Sequence, residues 1–155
     1  MIYVFDSSVL INLFRNYYRR IFPSLWQRFD DYVATGRIVS VREVLNEITD
    51  REDALAEWAR GHRDIFFQPS IEELAFISEI FRVGHFQALV RNEERLKGKP
   101  VADPFVIAKA RDIQGCVVAD ELLKPNAARI PNVCEHFGVA WLSLEGFMER
   151  ENWTF

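Results

Sequence analysis

The sequence predicts an α/β domain with a parallel central sheet flanked by helices. Short apolar runs of strand character alternate with longer amphipathic stretches, the pattern of strands joined by helical crossovers. Two of those runs stop abruptly on acids, Asp6 and the pair Asp120-Glu121. In open parallel sheets functional groups collect at the carboxyl ends of the strands, so both should share one edge. The 155 residues are 49% hydrophobic and contain no repeat, linker or low-complexity segment. They read as a single domain, 1–155, long enough to bury a core.

Ile2 to Phe5 is a wholly apolar run and predicts the first strand, with a helix over Val9 to Phe14. Ser24 to Thr35 predicts a second helix, ended by Gly36, which suits a left-handed cap. Ile38 to Ser40 is a brief β-branched run, the second strand. Val41 to Asp50 then sets Val41, Val44, Leu45 and Ile48 on one helical stripe. Ser70 and Glu73 form a capping box that opens a long helix through Ile71, Leu74, Ile77 and Phe81. Gly84 and His85 interrupt it before Phe86 to Asn92 resumes, and the polar stretch EERLKGKP is a surface loop. Asp103-Pro104 starts a helix running to about Gln114, with Gly115 past its end. Cys116 to Ala119 is a buried strand, Asn132 to Phe137 a short helix closed by Gly138, Val139 to Leu142 a last strand and Leu144 to Glu151 a final helix.

Composition excludes several classes. No run reaches the ~20 apolar residues of a membrane span, and no basic leader precedes the first apolar run. Cys116 and Cys134 stand far apart without a CxxC pattern, so neither a disulfide framework nor a zinc site is indicated. The expectation is a cytoplasmic protein with no membrane partner. A net charge of −4 opposes bulk attraction to nucleic acid, but the charge is unevenly spread. From Ser7 to Phe29 there is no acid, while Arg15, Arg19, Arg20 and Arg28 are interleaved with Tyr17, Tyr18, Phe22 and Trp26. From Glu43 to Glu57 six acids stand against Arg51, with Arg42 just before them.

Taken singly, each acid has an ordinary role. Asp6 can cap the helix that follows it, Asp103 before Pro104 is a common helix start, Glu47 can be a solvated surface acid, and Asp120-Glu121 can be turn residues. Glu43 and Glu47 share a helix face; Glu47 lies nearer the stripe of Val44 and Ile48, and Glu43 is expected to turn further out. Taken together, these acids reach one edge of one sheet. Carboxylates gathered there without basic partners repel one another, and the physical remedy is a divalent cation. Oxygen-only donors with no His or Cys nearby in sequence favour Mg²⁺ or Mn²⁺ over zinc. Other α/β chemistries do not fit. A D-x-D phosphatase motif would need an acid at Ser8, a D-x-S-x-S metal site would need Ser at Leu10, and no glycine-rich phosphate loop occurs.

A strand ending FDSSVLINL, then SVREVLNEI, then VADPFVIAKA, then a strand ending VVADE, in this order over essentially the whole chain, resembles the PIN-domain nucleases. It is similar in particular to VapC-type toxins and a related PIN-like subgroup, whose tail IPNVCEHFGVAWLSLEGFM also looks like. The resemblance implies a PIN-like three-layer fold and an Mg²⁺- or Mn²⁺-dependent endoribonuclease. Its metal-holding acids fall on Asp6, Glu47, Asp103 and Glu121 or its neighbour Asp120. The sequence departs from the family at Ala119, where Thr or Ser often stands, and at the fourth acid, which is usually Asp. Ser7 is a candidate ligand to substrate or to metal-bound water, and Arg15, Arg19 and Arg20 to RNA phosphates, with aromatic faces for unpaired bases. The implied partners are RNA, a cognate antitoxin protein and a second copy in a homodimer. The competing reading is a catalytically weak or inactive PIN-like module that binds RNA or protein.

Overall fold

The computed structural model describes residues 1–89 and 101–155. Among the described residues five strands form one wholly parallel sheet: β1 (Tyr3–Phe5), β2 (Ile38–Val41), β3 (Phe66–Phe67), β4 (Cys116–Val118) and β5 (Ala140–Leu142). Their order is β3-β2-β1-β4-β5. Helices α1 (Ser7–Asn16), α2 (Pro23–Ala34), α3 (Arg42–Ile48), α4 (Ala54–Arg60), α5 (Ile71–Arg82), α6 (Asp103–Asp112), α7 (Ile130–Phe137) and α8 (Leu144–Arg150) flank it. The class is the expected one, α/β with helices on a parallel sheet, and it is consistent with a three-layer PIN-like arrangement.

Strand order dictates the layers. The chain moves from β1 outward to β2 and β3, then crosses back to β4 and β5 on the other side. Right-handed crossovers running in opposite directions put their helices on opposite faces. Tyr3 and Phe5 stand on one face of β1, where Phe147 of α8 meets them edge-on at 4.7 and 5.2 Å and Phe29 of α2 approaches Phe5 at 6.3 Å. Helices α5, α6 and α7 pack in a row, and α6 lies against β1, β2 and β4. All three β1 residues are fully buried, as a strand covered on both faces requires.

Expected and observed boundaries agree within two residues, the ordinary fraying of helix ends. Gly36 and Gly138 take φ of +75° and +69°, so α2 and α7 end in the left-handed conformation that glycine tolerates. Ser70 Oγ accepts the Glu73 N–H at 3.1 Å and the Ser70 N–H returns to the Glu73 carboxylate, closing the capping box. α7 starts two residues before the expected Asn132, because Pro131 fits the first helical turn. Two elements have no counterpart in the sequence reading. α4 is only seven residues long, too short for a clear period, although Asp53 caps it through the Ala56 N–H at 2.9 Å. β3 is two residues long and exists by pairing with Ser40 and Val41 of β2. The helix over 86–92 appears as a 3₁₀ segment, Gly84–Leu89. Residues 90–92 and the loop over 93–100 lie outside the described residues. Among the described residues no helix is long and apolar enough to cross a membrane.

The C-terminal aromatics divide. Trp153 is buried against Tyr32 and Phe147, whereas Phe155 is exposed. Just before them, the Glu151 carboxylate accepts hydrogen bonds from the Tyr3 hydroxyl, from the Tyr32 hydroxyl at 2.5 Å and from Arg37 Nη2 at 2.8 Å. One acid thus ties α8 to β1, to α2 and to the entry of β2. Burial works to raise its carboxyl, but the three donors outweigh burial and hold it below the usual glutamate range.

Glu151→Ala leaves two hydroxyls and a guanidinium without their acceptor and should lower stability at pH 7 by about 1–3 kcal/mol, read from urea unfolding with an unchanged m-value. A depressed folded pKa stabilises above the unfolded value of about 4.3 and is lost as pH falls through the folded one. The gap between wild type and variant should therefore narrow below about pH 4; a gap constant from pH 7 to pH 3 would contradict this origin.

Candidate functional site

The order of the sheet reverses between β1 and β4, and ligands of open parallel sheets bind in the crevice outside the carboxyl ends at such a switch point. Asp6 leaves β1 there. The Asp6 N–H donates to the Val118 carbonyl at 3.0 Å, extending the β1–β4 ladder to the edge, and Ser40 Oγ donates to the Phe5 carbonyl at 2.6 Å from the other flank. Asp6 is buried and caps α1: its Oδ2 accepts Ser8 Oγ at 2.8 Å and the Ser8 N–H at 3.4 Å. Its Oδ1 accepts no hydrogen bond among the described residues. Burial, reinforced by the nearby Glu121 charge and opposed by the hydrogen bonds of Ser7 and Ser8, pushes the Asp6 carboxyl up to about 6. The capping role and the exceptional role coexist in one side chain.

Ser8, rather than Ser7, is the hydroxyl that organises this point. Its Oγ donates to Asp6 and accepts the Asp120 N–H at 3.1 Å, so it spans the ends of β1 and β4. Ser7 is half-buried beside Asp6, at the first position of α1. The two candidates for the fourth acid separate. Asp120 is exposed; its Oδ2 accepts Asn12 Nδ2 at 2.7 Å and its Oδ1 accepts the Leu144 N–H at 3.1 Å, tying α1 and α8 together. Glu121 is half-buried, acts electrostatically on Asp6, and accepts the Ile130 N–H at 3.0 Å, at the first turn of α7.

On the other flank, Glu47 Oε1 accepts the Ala102 N–H at 3.1 Å, linking α3 to the start of α6. Ala102 is the N-cap of α6 and Asp103 is its first helical residue, half-buried, rather than the capping residue itself. α6 packs against β4 and leads into it through residues 113–115, so its N-terminus returns to the carboxyl edge. Asp103 and Glu47 are therefore neighbours there, beside a helix N-terminus whose dipole favours negative charge.

Glu43 corrects the sequence reading. It was expected to turn outward, yet it is buried while Glu47 is only half-buried. α3 begins at Arg42, directly on the end of β2, so its second residue faces inward with Val44. Arg42 compensates the buried charge by giving both Nε and Nη2, at 3.0 and 2.9 Å, to Glu43 Oε2, while Oε1 has no partner among the described residues. Ser8 and Asn12 join the site through Asp6 and Asp120. The attachment of α3 directly to β2 was the signal available for Glu43.

Among the described residues, no three His, Cys, Asp or Glu side chains close into a shell for one ion. The acids collect at one edge with their oxygens turned toward backbone and side-chain donors. The donor set fits a hard divalent cation: carboxylate oxygen throughout, with one buried, unpartnered oxygen on Asp6.

The candidate RNA contacts divide. Arg19 is held by Asp30, at 2.9 and 3.2 Å, and lies over the Trp26 ring at 4.2 Å, so its guanidinium is committed to the protein. Arg15 and Arg20 are exposed.

Over residues 3–155 the chain matches the family described as Domain of unknown function (DUF4411), and it belongs to that family. No curated protein matches it.

A carboxyl whose folded pKa is raised favours folding only while protonated: its contribution is complete below the unfolded value near 3.8 and is lost as pH rises through about 6. Without divalent ions, Asp6→Asn should equal wild type in stability near pH 3.5. At pH 8 it should exceed wild type by up to about 3 kcal/mol. Urea titrations across this range check the prediction, and a variant less stable than wild type at pH 8 would show that the charge is compensated.

Proposed function

We propose that this DUF4411 chain is a PIN-type endoribonuclease that hydrolyses RNA phosphodiesters with Mg²⁺ or Mn²⁺. The observation that carries the reading is the Asp6 carboxylate, buried at the switch point with one oxygen unpartnered among the described residues and Glu121 acting on it from β4. Asp6, Glu47, Asp103 and Glu121 would hold the cation. Bound there, it would neutralise charge on the phosphate and lower the pKa of a water. Glu121 suits the fourth position better than Asp120, whose two oxygens are engaged by Asn12 and Leu144. Glu47 and Glu121 are the groups to orient the attacking water and take its proton. Ser8 keeps Asp6 oriented, and its acceptance of the Asp120 N–H sets the distance between the two strand ends.

A second reading is a binding module of the same fold with incomplete metal binding. What favours it is that Glu47, Asp120 and Glu121 already accept backbone N–H groups. A role as a toxin with a cognate antitoxin, or as a homodimer, extends the reading by resemblance. A small DNA-binding antitoxin encoded in the adjacent reading frame would support the toxin role, and a neighbour of other kind would count against it.

Asp6→Asn should abolish Mn²⁺-dependent RNA cleavage with the fold intact; unchanged turnover removes the assignment. Mn²⁺ at about 100 times its Kd should stabilise wild type by about 2.7 kcal/mol and leave Asp6→Asn nearly unmoved, whereas an inert module would show no shift in either chain. Comparing Glu43→Gln with Glu47→Gln separates the two helix acids. Glu47→Gln should lose more cleavage, and Glu43→Gln should act through stability, because it disrupts the Arg42 pair.

A further inference from the structure

Between α1, α2 and α4 lies an open pocket of about 550 Å³, separate from the acidic edge. Its walls are aromatic: Phe14 and Tyr17 from the end of α1, Trp26 from α2, and Trp58 from α4 with His62 just beyond it. Trp58 and His62 lie nearly parallel, with centroids 4.7 Å apart and 23° between planes, and Tyr18 is exposed at the rim. The walls are braced from behind. Trp26 Nε1 donates to the Tyr17 carbonyl at 2.6 Å, and the Arg19–Asp30 pair holds a guanidinium over Trp26. Arg19, Arg20 and Glu57 line the pocket, and because Asp30 already pairs Arg19, the cation left at the rim among the described residues is Arg20. One wall belongs to the acid-free segment 7–29 and the other to α4 and the residues just after it.

We propose that this aromatic pocket takes an unpaired base of single-stranded RNA. The inference rests on the ribonuclease reading and adds a subsite to it. Stacking suits any base because every base has a π-face, and the Arg20 guanidinium at the rim can meet a phosphate, whereas Arg19 is held by Asp30. Position also fits. α1 runs from Asp6, its N-cap, to Tyr17, its C-cap, and a ten-residue helix is about 15 Å long. A strand with its reacting phosphate at Asp6 would place a base a few nucleotides away within reach of the pocket.

The test uses short labelled RNAs, six-nucleotide uridylate and adenylate, titrated by anisotropy in EDTA buffer so that nothing is cleaved. Tyr18→Ala, His62→Ala and their double variant are compared with wild type after thermal midpoints confirm that each has folded. The expected result is a loss of affinity of about 5- to 150-fold for the double variant, similar for both RNAs. A 5-iodouridine hexamer should also photocrosslink to peptides covering residues 14–18 or 54–62. Wild-type affinity in the double variant, with crosslinks elsewhere, overturns the pocket assignment and leaves this surface to a protein side chain. Cleavage assays on Asp6→Asn keep the two readings apart. Asp6-dependent cleavage with unaltered RNA affinity in the pocket variants sinks only the base site. Loss of affinity in those variants, with cleavage independent of Asp6, keeps the base site and removes the nuclease assignment.

Discussion

A carboxylate buried at the point where a parallel sheet reverses its order is the constraint around which the rest of this molecule is arranged. Burying an unpaired charge is costly, and Asp6 meets only part of that cost internally. Ser8 supplies two hydrogen bonds to one oxygen, and α1 presents its N-terminus. The other oxygen accepts nothing among the described residues, and Glu121 adds a like charge. The same end of the sheet collects Asp120 after β4, and Glu47 and Asp103 through α3 and the start of α6. Glu47, Asp120 and Glu121 each accept a backbone N–H, so their charges are met locally, and among the described residues no three acids close into one cluster.

Holding such an edge requires a rigid frame below it, and the sheet supplies one through aromatic packing and a polar clamp. Phe147 packs edge-on against both Tyr3 and Phe5, so one residue of α8 covers one face of β1. Glu151, one turn later, gathers Tyr3, Tyr32 and Arg37. Its burial is compensated by three donors, in contrast to Asp6. The two acids therefore respond to pH in opposite directions: one is lowered by its partners and supports the fold when charged, the other is raised by its surroundings and opposes it.

Charge and aromatic character are divided along the chain in a way that the fold makes use of. The acid-free segment after Asp6 forms α1 and the beginning of α2; Phe14, Tyr17, Arg20 and Trp26 line a pocket against α4, whereas Arg28 reaches Asn152 and Phe155. α1 joins the two regions, with the acidic site at its first residue and the aromatic pocket at its last.

The sequence by itself determined the parallel α/β class, most element boundaries, the acids at the ends of β1 and β4 and the basic aromatic segment. These are legible because hydrophobic period, capping and strand termination are properties of contiguous residues. It did not determine how two neighbouring acids differ in burial and partners. Glu43 is buried because α3 starts directly on β2, and Asp120 and Glu121 part because Asn12 and α8 engage Asp120 from 108 and 24 residues away while Glu121 turns to the start of α7. The Ser8 bridge between β1 and β4, the two-residue strand β3, and the meeting of Trp58 with Phe14 and Phe29 were likewise invisible. Each depends on elements distant in the chain being brought into contact, and a pattern confined to one segment carries no information about which distant partner will face it.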